Sequence, residues 1–203
     1  MDKKQINRFF RVVAQGLDWP VKVILTGAAA GTLLGHIRPS LDIDFGIELI
    51  GKSKKGWQKV EEAIAQAQKV TGISVNYAQD IDRWGSISLL DYRKHVRPYH
   101  VFGKLQVNLL DPAYWTIGKM TRFLDSDIWD VVEVISKEGI SSQKLVQLWG
   151  KALWTSPRST ASVQFRQHVE HFIRQHGKSI WGKRFNPELS VQLFQAEAGI
   201  SSL

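Results

Sequence analysis

The sequence predicts an α/β (α+β) protein, with a mixed sheet flanked by helices over residues 1–138 and a helical bundle over 139–203. Three observations predict it. Short apolar runs of strand composition alternate with helix-period patterns as far as residue 110. Beyond Asp111-Pro112 only the helical period remains. The 203 residues suffice for one sizeable core, or for a core with a smaller helical appendage.

In chain order, residues 3–16 carry Ile6, Phe9, Phe10 and Val13 at helical spacing, with Gly16 as the stop. Asp18-Trp19-Pro20 turns into a strand, Val21–Leu25, which ends at Thr26-Gly27 and gives way to a helix of small residues reaching Gly35. A second strand carries Asp42 and Asp44 and runs to Leu49. After a basic loop from Gly51 to Gly56, residues 57–70 read as a helix with Val60, Ile64 and Ala67 inward and Gly72 just past its end. Residues 73–77 read as a strand. The stretch 80–94 leaves helix and strand both open. Residues 96–102 and 104–110 read as two strands bent at Gly103, the second expected beside the strand of Asp42 and Asp44.

Asp111-Pro112 has the composition of a capped helix start. Gly139 closes the helix that follows this region. Further helices are expected over 141–154 (Leu145, Leu148, Trp149, Leu153), over 159–176 (Phe165, Val169, Phe172, Ile173, ending at Gly177), and from Asn186-Pro187 to Ala198.

Composition bounds the function. There is no cysteine, so disulfides, thiol nucleophiles and Cys-ligated zinc are excluded. No run approaches 18 apolar residues and Met1-Asp2-Lys3-Lys4-Gln5 lacks an apolar signal core, which leads to the expectation of a soluble, cytoplasmic protein. The net charge of +8 favours an anionic partner such as a nucleotide or RNA. His168 and His171 share a helix face, but no third ligand or HExxH pattern accompanies them, and they read as surface residues.

The chemistry concentrates at Asp42 and Asp44. Side chains two apart on a strand project to one face, and no lysine or arginine lies between them to offset the repulsion of two carboxylates. A divalent metal would do so, since Mg²⁺ takes one or two carboxylates together with phosphate oxygens. The turn at Gly27-Ala28 adds backbone N–H groups at a helix start, a ready phosphate seat.

Thr26-Gly27-Ala28-Ala29-Ala30, followed by Arg38-x-Ser40-x-Asp42-Ile43-Asp44-Phe45, resembles the signature of nucleotidyltransferases of the DNA polymerase beta superfamily. In detail it looks like the AbiEii/MenT-type branch, whose members include toxins of bacterial toxin-antitoxin pairs. Lys119 and Arg122, leading to Asp127 and Asp130, resemble that branch's second signature. The resemblance implies a minimal nucleotidyltransferase domain that uses Mg²⁺ or Mn²⁺ and moves a nucleoside monophosphate from an NTP, ATP among them, to an acceptor. Asp42 and Asp44 would be the metal ligands. Thr26, Gly27, Ala28, Arg38, Ser40 and Lys119 would bind the nucleotide, and Asp127 would activate the acceptor or orient Lys119. Arg122 would hold the acids of the following helix. A tRNA 3′ end is the first acceptor expected and a protein side chain the second, and a cognate antitoxin protein is an expected partner.

The chain departs from the pattern at two places. Asn108 stands where many members have a third carboxylate, with Glu48 as a substitute candidate, and Ser126 stands where an arginine often precedes the acid. A catalytically weak nucleotide- or partner-binding module, or a transferase acting on a small molecule, is therefore kept as an alternative. Trp154, Arg158, Arg166, Arg174, Lys178, Trp181, Lys183 and Arg184 make the C-terminal end basic and aromatic, a mix suited to an RNA backbone and stacked bases.

Overall fold

A computed structural model describes residues 1–35, 41–49, 54–79, 81 and 83–200. In chain order the elements are α1 (Lys3–Gln15), β1 (Val21–Thr26), α2 (Gly27–Leu34), β2 (Asp42–Leu49), α3 (Lys54–Thr71), β3 (Ser74–Ala78), β4 (Arg83–Trp84), β5 (Ile87–Ser88), β6 (Val96–Phe102) and β7 (Leu105–Leu110). The helices α4 (Pro112–Arg122), α5 (Asp125–Glu138), α6 (Ser142–Trp154), α7 (Thr160–Trp181) and α8 (Pro187–Glu197) follow. The chain folds as two units: a sheet unit of residues 1–81 and 93–110, and a helical unit of residues 82–92 and 111–203. No helix among the described residues is long and apolar enough to cross a membrane.

The sheet unit is a five-stranded mixed sheet in the order β3-β2-β1-β7-β6. β1 runs antiparallel to β2 and parallel to β7, and β2 joins β3 in parallel through the α3 crossover. Alternation along β2 sends Ile43, Phe45 and Ile47, each at most 2% exposed, to one face. There Phe45 meets the edge of Phe10 at 5.7 Å and stacks on Tyr77 at 5.8 Å. Phe10 and its neighbour Phe9 come from α1, whose capping box (Asp2 Oδ1 accepting from Gln5 N, Gln5 Oε1 from Asp2 N, both 2.8 Å) fixes where the helix starts. α1 also packs on α3, which buries Val60, Ile64 and Ala67. With one face so occupied, Asp42 and Asp44 project from the other.

The expected place of β7 is corrected: it lies beside β1, not beside β2. β1 is almost wholly buried and needs a partner on each side, while the free side of β2 is filled by β3, delivered there by α3. The stretch left open, 80–94, contains the short hairpin β4-β5 and a 3-10 turn, Tyr92–Lys94.

The helical unit begins at 111 rather than after 138, because α4 and α5 share their core with the later helices. Trp149 of α6, fully buried, donates from Nε1 to Thr116 Oγ1 of α4 at 2.9 Å and meets Phe172 of α7 edge-on at 5.9 Å. Asp111 caps α4 through Ala113 N at 2.9 Å, and Asn186 caps α8 through Leu189 N at 3.2 Å. α7 runs through Gly177, the stop expected from sequence, to Trp181. The ring of Phe185 lies against Gly177, where any Cβ would stand 3.1 Å from Cζ and closer still to two other ring atoms, so this glycine serves close packing within the helix.

Candidate functional site

In the sheet unit, Thr26 is the last residue of β1 and stands opposite Asp44 in the antiparallel ladder, so α2 starts beside that carboxylate. Gly27 has φ 59°, and a Cβ there would be 2.9 Å from Asp44 Cγ and would collide with Oδ2, so only glycine fits. Thr26 provides no side-chain cap. Its hydroxyl donates instead to Asp44 O at 3.3 Å, and the first turn of α2, with Ala28 half-buried, carries no acidic side chain. A helix start set beside an acid pair suits a ligand that brings both phosphate and cation.

Asp42 and Asp44 converge on one point. The amide nitrogen of Asn76 lies 3.0 Å from Asp42 Oδ2 and 2.9 Å from Asp44 Oδ1. Asn76 stands directly opposite Asp44 in the parallel β2-β3 ladder, and its amide turns the nitrogen inward because the oxygen would face two carboxylates. No local pattern in the chain marks this residue. An asparagine on a short strand reads as solvated, and its meaning comes only from the register. Its N–H₂ group donates to both carboxylates and offsets part of their mutual repulsion.

The candidate third acids lie elsewhere. Glu48, on the same face but further along β2, is engaged by Lys22 at 3.3 Å and Arg93 at 3.7 Å. Asn108, opposite Ile24 and two strands from β2, is 1% exposed and accepts from Gln106 Nε2 at 3.2 Å. No group of three or more His, Cys, Asp or Glu side chains is gathered for a metal among the described residues. The donor set fits Mg²⁺ or Mn²⁺ as two converging carboxylates, with substrate oxygens and water for the remaining ligands. Arg38 and Ser40, expected at the phosphates, lie outside the described residues.

Asn76→Ala is expected to lower thermal stability in EDTA by about 1–2 kcal/mol, the scale of two lost hydrogen bonds at a site open to water, and added Mg²⁺ should restore it. A variant that melts like wild type in EDTA, or that gains nothing from the metal, would remove Asn76 from the site.

In the helical unit, Lys119 is 4% exposed and its ammonium donates to Asp127 Oδ1 at 2.9 Å and Asp130 Oδ2 at 2.7 Å, with the Trp115 ring centroid 5.0 Å away. Arg122 closes the set, its Nε 2.7 Å from Asp127 Oδ2 and its Nη2 2.5 Å from Oδ1. The helical spacing of Lys119 to Arg122, followed by a left-handed Phe123 (φ 56°) that swings α5 back, brings both cations onto the acids. Burial alone would push the Asp127 carboxyl up, but the hydrogen bonds from Arg122 and Lys119 hold it below the usual carboxylate range.

Among the residues expected at an RNA surface, Arg166 is bonded to Glu170 at 2.8 Å, Arg174 to Glu188 at 3.0 Å, and Trp181 Nε1 to Ile140 O at 2.9 Å. Arg158 has no such partner among the described residues, and Trp154 is 65% exposed. His168 donates from Nδ1 to Met120 O, 2.9 Å away, and stacks on Phe123 at 4.4 Å, with His171 edge-on to the same ring. Comparison of the chain with protein-family models, curated proteins and solved structures finds no match.

Proposed function

We propose that the chain is a metal-dependent nucleotidyltransferase of the AbiEii/MenT type, moving a nucleoside monophosphate from an NTP to an acceptor and releasing pyrophosphate in the cytoplasm. The observation that carries this reading is the convergence of Asp42 and Asp44 on one donor beside the start of α2, with Gly27 the only residue type that fits against Asp44. Asp42 and Asp44 would hold Mg²⁺ or Mn²⁺, whose charge offsets that of the triphosphate when bound. The N–H groups of Gly27 and Ala28 at the start of α2 would seat a phosphate, with Thr26 fixing the turn, and Arg38 and Ser40 would complete the seat. An acceptor hydroxyl attacks the α-phosphorus, the bond to the bridging oxygen breaks, pyrophosphate leaves and the hydroxyl proton passes to solvent. The protein's part is positioning and electrostatics, as suits a loose transition state.

Of the two roles expected of Asp127, the ion pair supports the orientation of Lys119. By the resemblance alone Lys119 is kept as a cation for the triphosphate, and its variants test this below. An RNA 3′ end, that of tRNA first, is the proposed acceptor, and an antitoxin protein the proposed partner.

The test is incubation with each α-labelled NTP, Mg²⁺ and total RNA. Metal-dependent label in RNA is the expected result, whereas label in protein or a small molecule moves the acceptor. Transfer from none of the NTPs, with binding retained, would favour the second reading: a nucleotide-binding module, to which the pair of carboxylates without a third acid points.

A further inference from the structure

The helical unit holds a cavity of about 430 Å³ lined by the end of α6, the start of α7 and the residues after α8. Its volume falls in the range of small-molecule sites. Leu153, Val163 and Ala198 are apolar parts of its lining. The lining hydroxyls are already spent, Ser156 Oγ on Ala152 O at 2.6 Å and Ser162 Oγ on Ser159 O at 2.7 Å.

Two features of the wall are unusual together. The indole of Trp154 is 65% exposed, yet its position is fixed: the six-membered ring fills the space where any side chain at 199 would begin, and Gly199 has φ 63°. A large apolar ring is thus held by the backbone on one side and left uncovered on the other. Arg158 supplies a guanidinium with no carboxylate partner among the described residues, whereas Arg166 on the same rim is tied to Glu170. Over residues 139–203 eight lysines and arginines face three glutamates, so the surroundings are cationic.

A ligand matched to these walls has a flat aromatic body and an anionic group beside it. We propose that the cavity binds a nucleoside phosphate, its base stacked on Trp154 and its phosphate met by Arg158. An acidic peptide would satisfy the arginine but would leave a flat, preformed face without a flat partner. A nucleoside phosphate carries both groups in one unit, and a base of any identity stacks on indole. The source is a free mononucleotide or one residue of an RNA strand. The proposal does not rest on the assignment of Asp42 and Asp44.

The test is fluorescence anisotropy of a labelled hexa-adenylate, with AMP as competitor, on the full-length Asp44→Asn protein in EDTA, so that neither metal nor turnover contributes. Trp154→Ala should weaken binding roughly five- to hundredfold, the range for one lost base stack, and Trp154→Phe should recover most of it. Arg158→Ala should weaken it and reduce the steepness of log K against log salt by about 0.7, one phosphate's share on a single strand. Both side chains are exposed, so melting should stay near that of the parent. Efficient competition by AMP identifies the source as free nucleotide, and binding of the hexamer alone identifies a strand. Unchanged affinity in Trp154→Ala or Arg158→Ala, absence of binding by either probe, or preference for an acidic tryptophan-bearing peptide over the hexamer overturns the proposal.

Discussion

Asp44→Asn is expected to abolish nucleotide transfer and Mn²⁺ binding while the protein stays folded. Asp44 is the acid on which three independent constraints meet: Gly27 has room for no side chain against it, Thr26 bonds to its carbonyl, and the Asn76 amide reaches its Oδ1. The substitution keeps the shape and one oxygen but removes the charge, so it also removes the repulsion from Asp42. Stability in the absence of metal should therefore equal or exceed that of wild type. Loss of one electrostatic group at a transferring phosphoryl centre costs at least about a hundredfold in rate, and loss of a metal ligand costs more. Titration with Mn²⁺ gives a readout apart from turnover. A variant that unfolds would make the acid pair structural, and one that retains tight Mn²⁺ binding would move the metal elsewhere.

The legible parts of the fold are those governed by local rules. The helical period of Ile6, Phe9, Phe10 and Val13 predicts α1, and the glycine after an apolar run predicts the β1-α2 turn, because these signals lie within a few residues of what they determine. The illegible parts depend on distant partners. Gly177 reads as a stop until Phe185, eight positions on, is seen to need the space beside it. β7 reads as a neighbour of β2 until the α3 crossover has filled that edge with β3.

The candidate site divides the same way. The spacing of Asp42 and Asp44 puts both on one face by strand geometry alone, whereas Asn76 enters through a parallel register that no local pattern encodes. The resemblance places Lys119 and Asp127 together, but it does not give the depth at which they lie. Helix α4 buries the face that bears Lys119, and a lysine in sequence carries no mark of its exposure.

That depth leads to the second large effect. Lys119→Met is expected to destabilise the protein by about 3–5 kcal/mol, the cost of leaving buried carboxylates without their cation, which is a large part of the 5–15 kcal/mol typical of a folded domain. Arg122 would still grip Asp127, but it is half-exposed and its bonds are already made, and Asp130 would lose the Lys119 ammonium 2.7 Å from its carboxylate. The exposed control Lys69→Ala should change little.

The effect has a pH signature. The folded Asp127 carboxyl lies below its ordinary value, so its contribution to stability is complete above the usual carboxylate range and is lost as the pH falls through the lowered value. Wild type should therefore lose stability on acidification below that range, and Asp127→Asn, already less stable at neutral pH, should lose less. Urea melts of the variants at neutral and acid pH measure both quantities. If Lys119→Met instead melts within about 0.5 kcal/mol of wild type, the ordinary range for surface changes, and transfer still falls about a hundredfold or more, the ammonium acts on the nucleotide and the buried ion pairs are not what holds the helical unit together.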